Sequence, residues 1–158
     1  MFTGDNILGQ GSSAIEDLST FMKSLQVMLD QECKIGYPGH GAVLPNLGFK
    51  VKAELATKLR REKQTLQALS RIRSQGEKSA TLSTIVTEIY GKTLDEQTRT
   101  LALEPFIDEV LRKLAVDGKV AFERKSGLKK WYSVEQFALF RAKTMPLVQA
   151  TTMSTLSI

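Results

Sequence analysis

Apolar residues recur at three- and four-residue spacing over 15–29, and this periodicity predicts an amphipathic helix with one core-facing stripe. A loop rich in Gly, Ser and Asn precedes it, and Ser12 or Ser13 is the predicted N-cap. A second helix is predicted over 49–74, where leucines form one side and charged residues the other. Between these helices the stretch CKIGY, 33–37, predicts a short strand that ends before a proline.

The second half of the chain has shorter periodic segments. They predict a short helix over 82–89 that stops at a glycine, and a longer helix over 105–116. The stretch 93–103 between them is also predicted to be helical. A hairpin follows, with strands at 120–122 and 131–133 on either side of a Ser-Gly turn. Three helices followed by a hairpin are the outline of a winged helix.

The breaks in these patterns divide the chain into three parts. The polar stretch SQGEKSAT interrupts the periodicity and places a predicted boundary between a first domain, 1–75, and a second domain, 76–134. Residues 135–158 are rich in Thr, Ser and Met and have little periodicity. We expect them to form a disordered tail.

Composition narrows the class of protein. The 158 residues are 42% hydrophobic and 25% charged, values typical of a soluble globular protein. No apolar run approaches the length needed to span a bilayer, so no membrane association is expected. Cys33 is the single cysteine and cannot form an internal disulfide, which indicates a reducing compartment and a cytoplasmic location. We expect Cys33 to be a small buried hydrophobe. The net charge of +5 permits weak attraction to polyanions without establishing it.

Two residues are candidates for chemistry. Asp5 follows Gly4 at the end of what reads as a buried strand, and His40 is the only histidine, set in the glycine-rich turn YPGHG. Taken singly, each residue is more commonly structural than functional, because a turn aspartate often bonds its own backbone and a lone histidine in a glycine-rich turn is often merely exposed. A functional role becomes the better interpretation when both residues are considered together with the sequence around them.

Three stretches, FTGDNILGQGSS, IEDLSTFMKSL and YPGHGAVL, resemble the C-terminal part of the metallo-β-lactamase superfamily. Within it they look most like the beta-lactamase-like protein 2 group and the fungal thioesterases that release polyketides from acyl carrier protein. The likeness is close over 1–47 and looser to about residue 134. It implies an α/β fold, the C-terminal portion of a metallo-β-lactamase αββα domain followed by a small winged-helix-like α+β domain.

The resemblance also implies a metal site. In the family the matching aspartate bridges two zinc ions and the matching histidine ligates one of them, and these positions are Asp5 and His40 here. Imidazole and carboxylate are ligands that zinc accepts readily. No residue is assigned a catalytic role. The implied activity is zinc-dependent hydrolysis of a thioester, presented by a small molecule or a carrier.

The chain departs from the family pattern in two places. The motif His-x-His-x-Asp-His is absent. We therefore expect a fragment that lacks the motif-bearing half, or a relic, which is inactive alone and whose first strand has no partner strand. In the second helix the family's His-Arg pair is replaced by Thr57-Lys58, although Arg61-Glu62 keep its later Arg-Glu.

Two alternatives stay open. The same resemblance allows cleavage of single-stranded RNA, and the basic hairpin, with Lys129 and Lys130 beside Trp131, allows a non-catalytic binding module. We favour a solvated hairpin whose Trp131 packs on the preceding helix, because acidic residues on that helix would repel phosphate. Nucleic acid is therefore the less favoured partner. The sequence leaves the oligomeric state open.

Overall fold

The computed structural model describes residues 1–11, 15, 17–93 and 95–134, so the predicted tail, 135–158, lies outside the described residues. The described chain alternates short strands with helices of very different length. The elements are β1 (Phe2–Gly4), α1 (Leu18–Asp30), β2 (Tyr37–Pro38), α2 (Leu47–Ser74), α3 (Leu82–Tyr90), α4 (Glu96–Thr98), a π-helical turn (Arg99–Leu103), α5 (Glu104–Val116), β3 (Val120–Lys125) and β4 (Leu128–Ser133).

The first strand has a neighbour. β1 pairs with β2 in parallel, and the amide of Tyr37 donates to the carbonyl of Met1 at 2.8 Å. The expectation of a strand without a partner is therefore wrong. So is the expectation of a fully buried strand, since the Phe2 side chain is 87% exposed while Thr3 is buried.

The second strand is shorter than predicted and begins later. Only Tyr37 and Pro38 pair with β1, so the prediction of a strand over 33–37 is wrong. The preceding residues bond to the following loop instead. Gly36 exchanges two backbone hydrogen bonds of 2.9 Å with Leu44, which turns the chain back on itself.

Helix α1 begins at Leu18, because Asp17 is its N-cap and accepts a 2.6 Å hydrogen bond from the amide of Thr20. This bond lowers the pKa of the Asp17 carboxyl. The prediction of Ser12 or Ser13 as the cap is wrong. The predicted stripe is confirmed, because α1 buries Leu18, Phe21 and Leu25.

Helix α2 starts two residues earlier than expected, after Asn46, whose side chain accepts from the amide of Phe49 at 3.2 Å. It is 28 residues long, and its buried side packs against α1, α3, α5 and β4. Cys33 is only half-buried, so the expectation of a buried thiol is wrong, although it packs against the core.

The remaining elements follow the predicted order. α3 stops at Gly91, which has a φ of +93°, and Pro105 lies in the first turn of α5. The hairpin is longer than predicted, and Ala80 pairs with Trp131 on the outer side of β4. Trp131 is 2% exposed, as expected of a side chain that packs inward.

The domain boundaries and the winged-helix assignment stay predictions. None of the helices in the described part of the chain combines the length and the apolar character that crossing a bilayer requires.

Candidate functional site

Two loops at one end of the β1–β2 pair bring Asp5 and His40 together. The Nε2 atom of His40 lies 3.8 Å from Oδ1 of Asp5, a distance that suits an ion pair or two ligands of one centre better than a hydrogen bond. Their side chains are 75% and 79% exposed for Asp5 and His40, respectively. Both predicted ligands therefore occupy one open surface, although they are far apart in the sequence.

Backbone hydrogen bonds hold these loops in register. The amide of Gly39 donates to the carbonyl of Gly4 at 2.9 Å, and the amide of Gly9 donates to the carbonyl of His40 at 2.9 Å. The buried hydroxyl of Thr3 donates to the carbonyl of Ile7 at 2.8 Å, which closes the Asp5 turn. Hydrogen bonds to main-chain carbonyls, rather than side-chain packing, therefore set the positions of Asp5 and His40.

The loops approach so closely that the backbone leaves no room for a Cβ at two positions. A Cβ on Gly9 would lie 2.1 Å from the carbonyl oxygen of Ala42, whereas the short contact of a Cβ on Gly39 is with the exposed Asp5 carboxylate, which can rotate away. Gly41 has a φ of +88°, and a Cβ there would lie 2.5 Å from the amide nitrogen of Gln10. The sequence interpretation missed Gly9, although the run Gly-Gln-Gly directly after the Asp5 turn was a signal for it.

The pair does not make a metal centre by itself. A catalytic zinc takes three protein ligands and a water. Within residues 1–11, 15, 17–93 and 95–134, no group of three or more His, Cys, Asp or Glu side chains is close enough to hold a metal ion. Asp5 and His40 are zinc-compatible in type but one ligand short in number.

The helix residues singled out from the sequence have structural contacts. Arg61 donates to the Tyr90 hydroxyl at 3.0 Å and lies over the rings of Tyr90 and Phe106, each 5.7 Å from its guanidinium carbon. Lys58 lies over the Phe21 ring and pairs with Glu54 at 3.8 Å. These contacts tie α2 to its neighbours, and they place neither cation beside Asp5 or His40.

Glu62 is buried and belongs to an ion cluster that reaches the surface. Its Oε1 lies 2.7 Å from Nζ of Lys113, which in turn donates to Asp117 at 2.7 Å, and Lys119 lies 3.9 Å from its Oε2. Burial alone would lower the pKa of Lys113, but hydrogen bonds to Asp117 and Glu62 outweigh it and raise that pKa. Burial would raise the pKa of Asp117, but the bond from Lys113 and the nearby charges hold that pKa below its ordinary value.

An apolar cavity of about 340 Å³ lies beside this cluster, between α1, α2 and α5. Met22, Leu55 and Leu59 contribute to its lining. It includes neither Asp5 nor His40, so it is a separate feature from the two-residue site.

The structural comparisons define the class of fold. The chain superimposes on a metallo-β-lactamase family protein from Thermus thermophilus with a TM-score of 0.57 and 17% identity, over 84% of this chain and 41% of that one. A beta-lactamase domain protein from Burkholderia ambifaria gives a TM-score of 0.63 and 19% identity, over 84% and 40%. The chain therefore has the fold of a partial, C-terminal region of a metallo-β-lactamase protein.

The sequence comparisons are more specific. The chain is 62% identical over 150 residues to an atrochrysone carboxyl ACP thioesterase of Pseudocercospora fijiensis, covering 95% of this chain and 45% of the relative. An atrochrysone carboxyl ACP thioesterase of Claviceps purpurea is 64% identical over 135 residues, covering 85% and 44%. A lactamase-like protein of Pestalotiopsis fici is 56% identical over 137 residues, covering 85% and 44%.

These matches confirm the resemblance drawn from the sequence, and the chain is a homologue of these thioesterases. It spans less than half the length of the curated relatives named here. No protein-family profile matches it.

Proposed function

We propose that this chain acts in the hydrolysis of a thioester that joins an acyl group to a carrier protein. Water attacks the thioester carbonyl, the carbon–sulfur bond breaks, and a carboxylic acid and a carrier thiol are released. The observation that carries the proposal is the convergence of Asp5 and His40 on one open surface. Support for the reaction class comes from relatives named as ACP thioesterases.

Asp5 and His40 would supply two ligands of a zinc centre, and the others would come from outside these 158 residues. Zinc bound in such a centre supplies a hydroxide nucleophile near neutral pH. This chain's own contribution is to hold a carboxylate and an imidazole 3.8 Å apart on a backbone frame. The segment from residue 76 to 134 would be a winged-helix-like unit, and the pairing of Ala80 with β4 supports that arrangement.

A chimera tests the proposal directly. The matching segment of the Claviceps purpurea thioesterase is replaced by this chain, and release of the acyl group from a carrier protein is measured. We expect activity in the chimera and a loss of at least about 100-fold in kcat/KM with Asp5→Asn or His40→Gln. Replacing a metal ligand should lower activity more than replacing a residue that only supports a ligand, which typically costs about 10- to 100-fold. Asp30→Asn, an exposed change on α1, is the control and should leave the rate unchanged.

The isolated chain is the second arm of this test. With two ligands it should bind zinc at well below one equivalent and show no turnover of the same substrate. Stoichiometric zinc with turnover in the isolated chain would contradict the shortage of ligands. A folded, zinc-loaded chimera that cleaves single-stranded RNA and leaves the thioester intact would contradict the substrate class.

A further inference from the structure

One face of α2 lines an open groove of about 450 Å³. The helix contributes Leu59, Glu62, Lys63, Leu66, Gln67 and Ser70 to its lining. Successive members of this series are one to four positions apart at helical spacing, so their side chains form a single stripe along α2. Lys119, just before β3, lines the groove from the other side. Leu59 also lines the cavity between α1, α2 and α5, so the two concave regions meet at this residue.

The groove is apolar along its floor and positively charged at one edge. Leu59 is 55% exposed although it lies in the middle of a 28-residue helix, and Leu66 is only partly buried. A single exposed leucine is ordinary on a protein surface. Here it stands between two concave regions, and concave surface of this volume is typical of a binding site. Lys63 is exposed, and Nζ of Lys119 lies 3.9 Å from Oε2 of Glu62.

The described part of the chain ends beside this groove. The amide of Val134, which is the last described residue, donates to the carbonyl of Lys119 at 3.0 Å. Lys119 lines the groove, and residues 135–158 follow Val134. The chain therefore leaves the hairpin at the charged edge of the groove.

The residues that follow Val134 match the groove in character. The stretch EQFALFRAKTM, 135–145, has Phe137, Leu139 and Phe140 within four positions. Apolar side chains of this size gain free energy when they leave water. Glu135 is the only acidic residue between 135 and 158, and it comes directly after Val134, where Lys119 lies. The segment thus offers apolar side chains to an apolar floor and a carboxylate to a basic edge.

The distances allow the segment to reach the groove. Lys119 contacts Glu62, and Leu59 precedes Glu62 by about one helical turn, which rises about 5 Å. Six residues lead from Val134 to Phe140, and six extended residues span at most about 20 Å. Phe140 can therefore reach Leu59 without any movement of the hairpin.

We propose that the segment 135–145 docks back into the groove on α2, with Phe137 and Phe140 against Leu59 and Leu66, and with Glu135 beside the basic edge. The disorder expected of the tail would then apply only beyond this segment. Docking needs neither zinc nor a thioester, so it is independent of the proposed function.

A separate molecule is the less favoured occupant of the groove. A segment tethered at the edge of its own site has an effective concentration on the order of millimolar. A second copy of the chain, or any other partner, would have to bind more tightly than this in order to displace it. The groove is therefore closed by its own chain first.

Cysteine cross-linking in the full 158-residue chain tests the docking. Cys33→Ser removes the single thiol, and Leu59→Cys with Phe140→Cys then introduces one pair. A disulfide forms only where the two Cα atoms come within about 7 Å, so the bond reports contact between the segment and the groove. We expect mild oxidation to form this bond at least about tenfold faster than in a control pair, because docking holds the two thiols together.

The control pair is Leu101→Cys with Phe140→Cys in the same Cys33→Ser background. Leu101 is 71% exposed in the π-helical turn before the start of α5, whereas the groove lies near the other end of that helix. Electrophoresis without reductant and mass spectrometry separate bonds within one chain from bonds between two chains. Equal rates for the two pairs would overturn the docking, and so would a 59–140 bond that forms only between two copies.

Binding of the apolar dye anilinonaphthalene sulfonate gives a second measurement without introduced cysteines. Phe137→Ser with Phe140→Ser should raise the dye fluorescence by about twofold or more, because the uncovered groove exposes apolar surface. If the segment did not dock, loss of two exposed phenylalanines would leave the fluorescence unchanged or lower it, which would overturn the proposal. Addition of Leu59→Ser should cancel the increase, whereas Leu101→Ser should not. Circular dichroism checks that each variant is folded.

Discussion

Asp5 and His40 owe their separation to the main chain around them. The carbonyls of Gly4 and His40 each accept a hydrogen bond of 2.9 Å from an amide of the facing loop. Backbone bonds of this kind are insensitive to which side chains surround them, but they leave no room for a Cβ at the crossing points. The constraint on the site therefore falls on glycines, which carry no chemistry themselves.

Gly41→Ala tests this constraint. The φ of +88° and the contact of 2.5 Å to the amide nitrogen of Gln10 should together lower the free energy of unfolding by about 2–3 kcal/mol. Gly48→Ala is the control, because Gly48 lies in α2 and a Cβ there meets nothing within 4 Å. That change should raise stability by up to about 1 kcal/mol. Urea unfolding followed by circular dichroism compares the two, and equal effects would contradict the strain at Gly41.

At the scale of elements, the hairpin shows how a turn is selected. Ser126 and Gly127 both have positive φ, +52° and +77°, and join strands of six residues each. Two central residues with positive φ define a type I′ turn, whose twist matches the twist of the flanking strands. Glycine suits the second position, whereas serine is not the preferred residue at the first.

Replacement of Ser126 should therefore raise or lower stability, depending on how well the new residue tolerates a positive φ. Ser126→Asn should add on the order of 0.5 kcal/mol, because asparagine tolerates the left-handed conformation and Asn-Gly is the favoured pair. Ser126→Val should cost about 1–3 kcal/mol, because a β-branched residue is strained there. Thermal unfolding of the two variants measures the difference, and a valine variant as stable as the asparagine variant would rule out this turn type.

The elements differ in how far the sequence predicted them. The apolar stripe of α1 could be predicted because Phe21 and Leu25 repeat at helical spacing, and the end of α3 could be predicted from Gly91. The short strands were not, since pairing of Tyr37 with β1 depends on residues far away in the chain. The cap of α1 was ambiguous, because several residues of that loop can cap a helix.

The candidate site was predictable only in part. Asp5 and His40 were identified by resemblance to a family, and the structure brings them together. No periodicity relates the two positions, so composition and spacing alone could not have paired them. The close crossing of Gly9 and Gly41 depends on the three-dimensional path of two loops, which local sequence does not encode.

At the scale of the whole molecule, the ion cluster around Glu62 joins the two predicted domains. Glu62 on α2 contacts Lys113 on α5, and Asp117 completes the contact at the end of that helix. Because Glu62 is buried, loss of its partner Lys113 would leave an uncompensated charge, which is costly. The shifted pKa values of Lys113 and Asp117 also make the stability of the molecule sensitive to pH.

The sign of that sensitivity follows from the two pKa shifts. The pKa of Asp117 lies below its ordinary value of 3.8, so its contribution to stability is present above that pH and is lost as the pH falls further. The pKa of Lys113 lies above 10.5, so its contribution is present below that pH and is lost as the pH rises past it. Between these limits we expect the contribution of both groups to the free energy of unfolding to be constant, which gives a plateau in stability.

Asp117→Asn should lower the free energy of unfolding on the plateau. It should also make that free energy fall less steeply below about pH 4, because the carboxyl group that titrates there has been removed. Asp30→Asn, an exposed change on α1, is the matched control and should leave both unchanged. Urea midpoints measured from pH 3 to 11 provide the comparison. An acid limb of equal steepness in the Asp117→Asn variant would show that other carboxyl groups set it.

Helix α2 has a mechanical consequence. Its 28 residues make a stiff rod about 42 Å long that starts shortly after the His40 loop and ends shortly before Ala80, which pairs with β4 of the hairpin. A tilt of about 5° in such a rod displaces its far end by about 3.7 Å, close to the 3.8 Å between Asp5 and His40. A force applied at the hairpin would be converted by this lever into a change in spacing at the loops. The length of one helix thereby links the position of the hairpin to the spacing of Asp5 and His40.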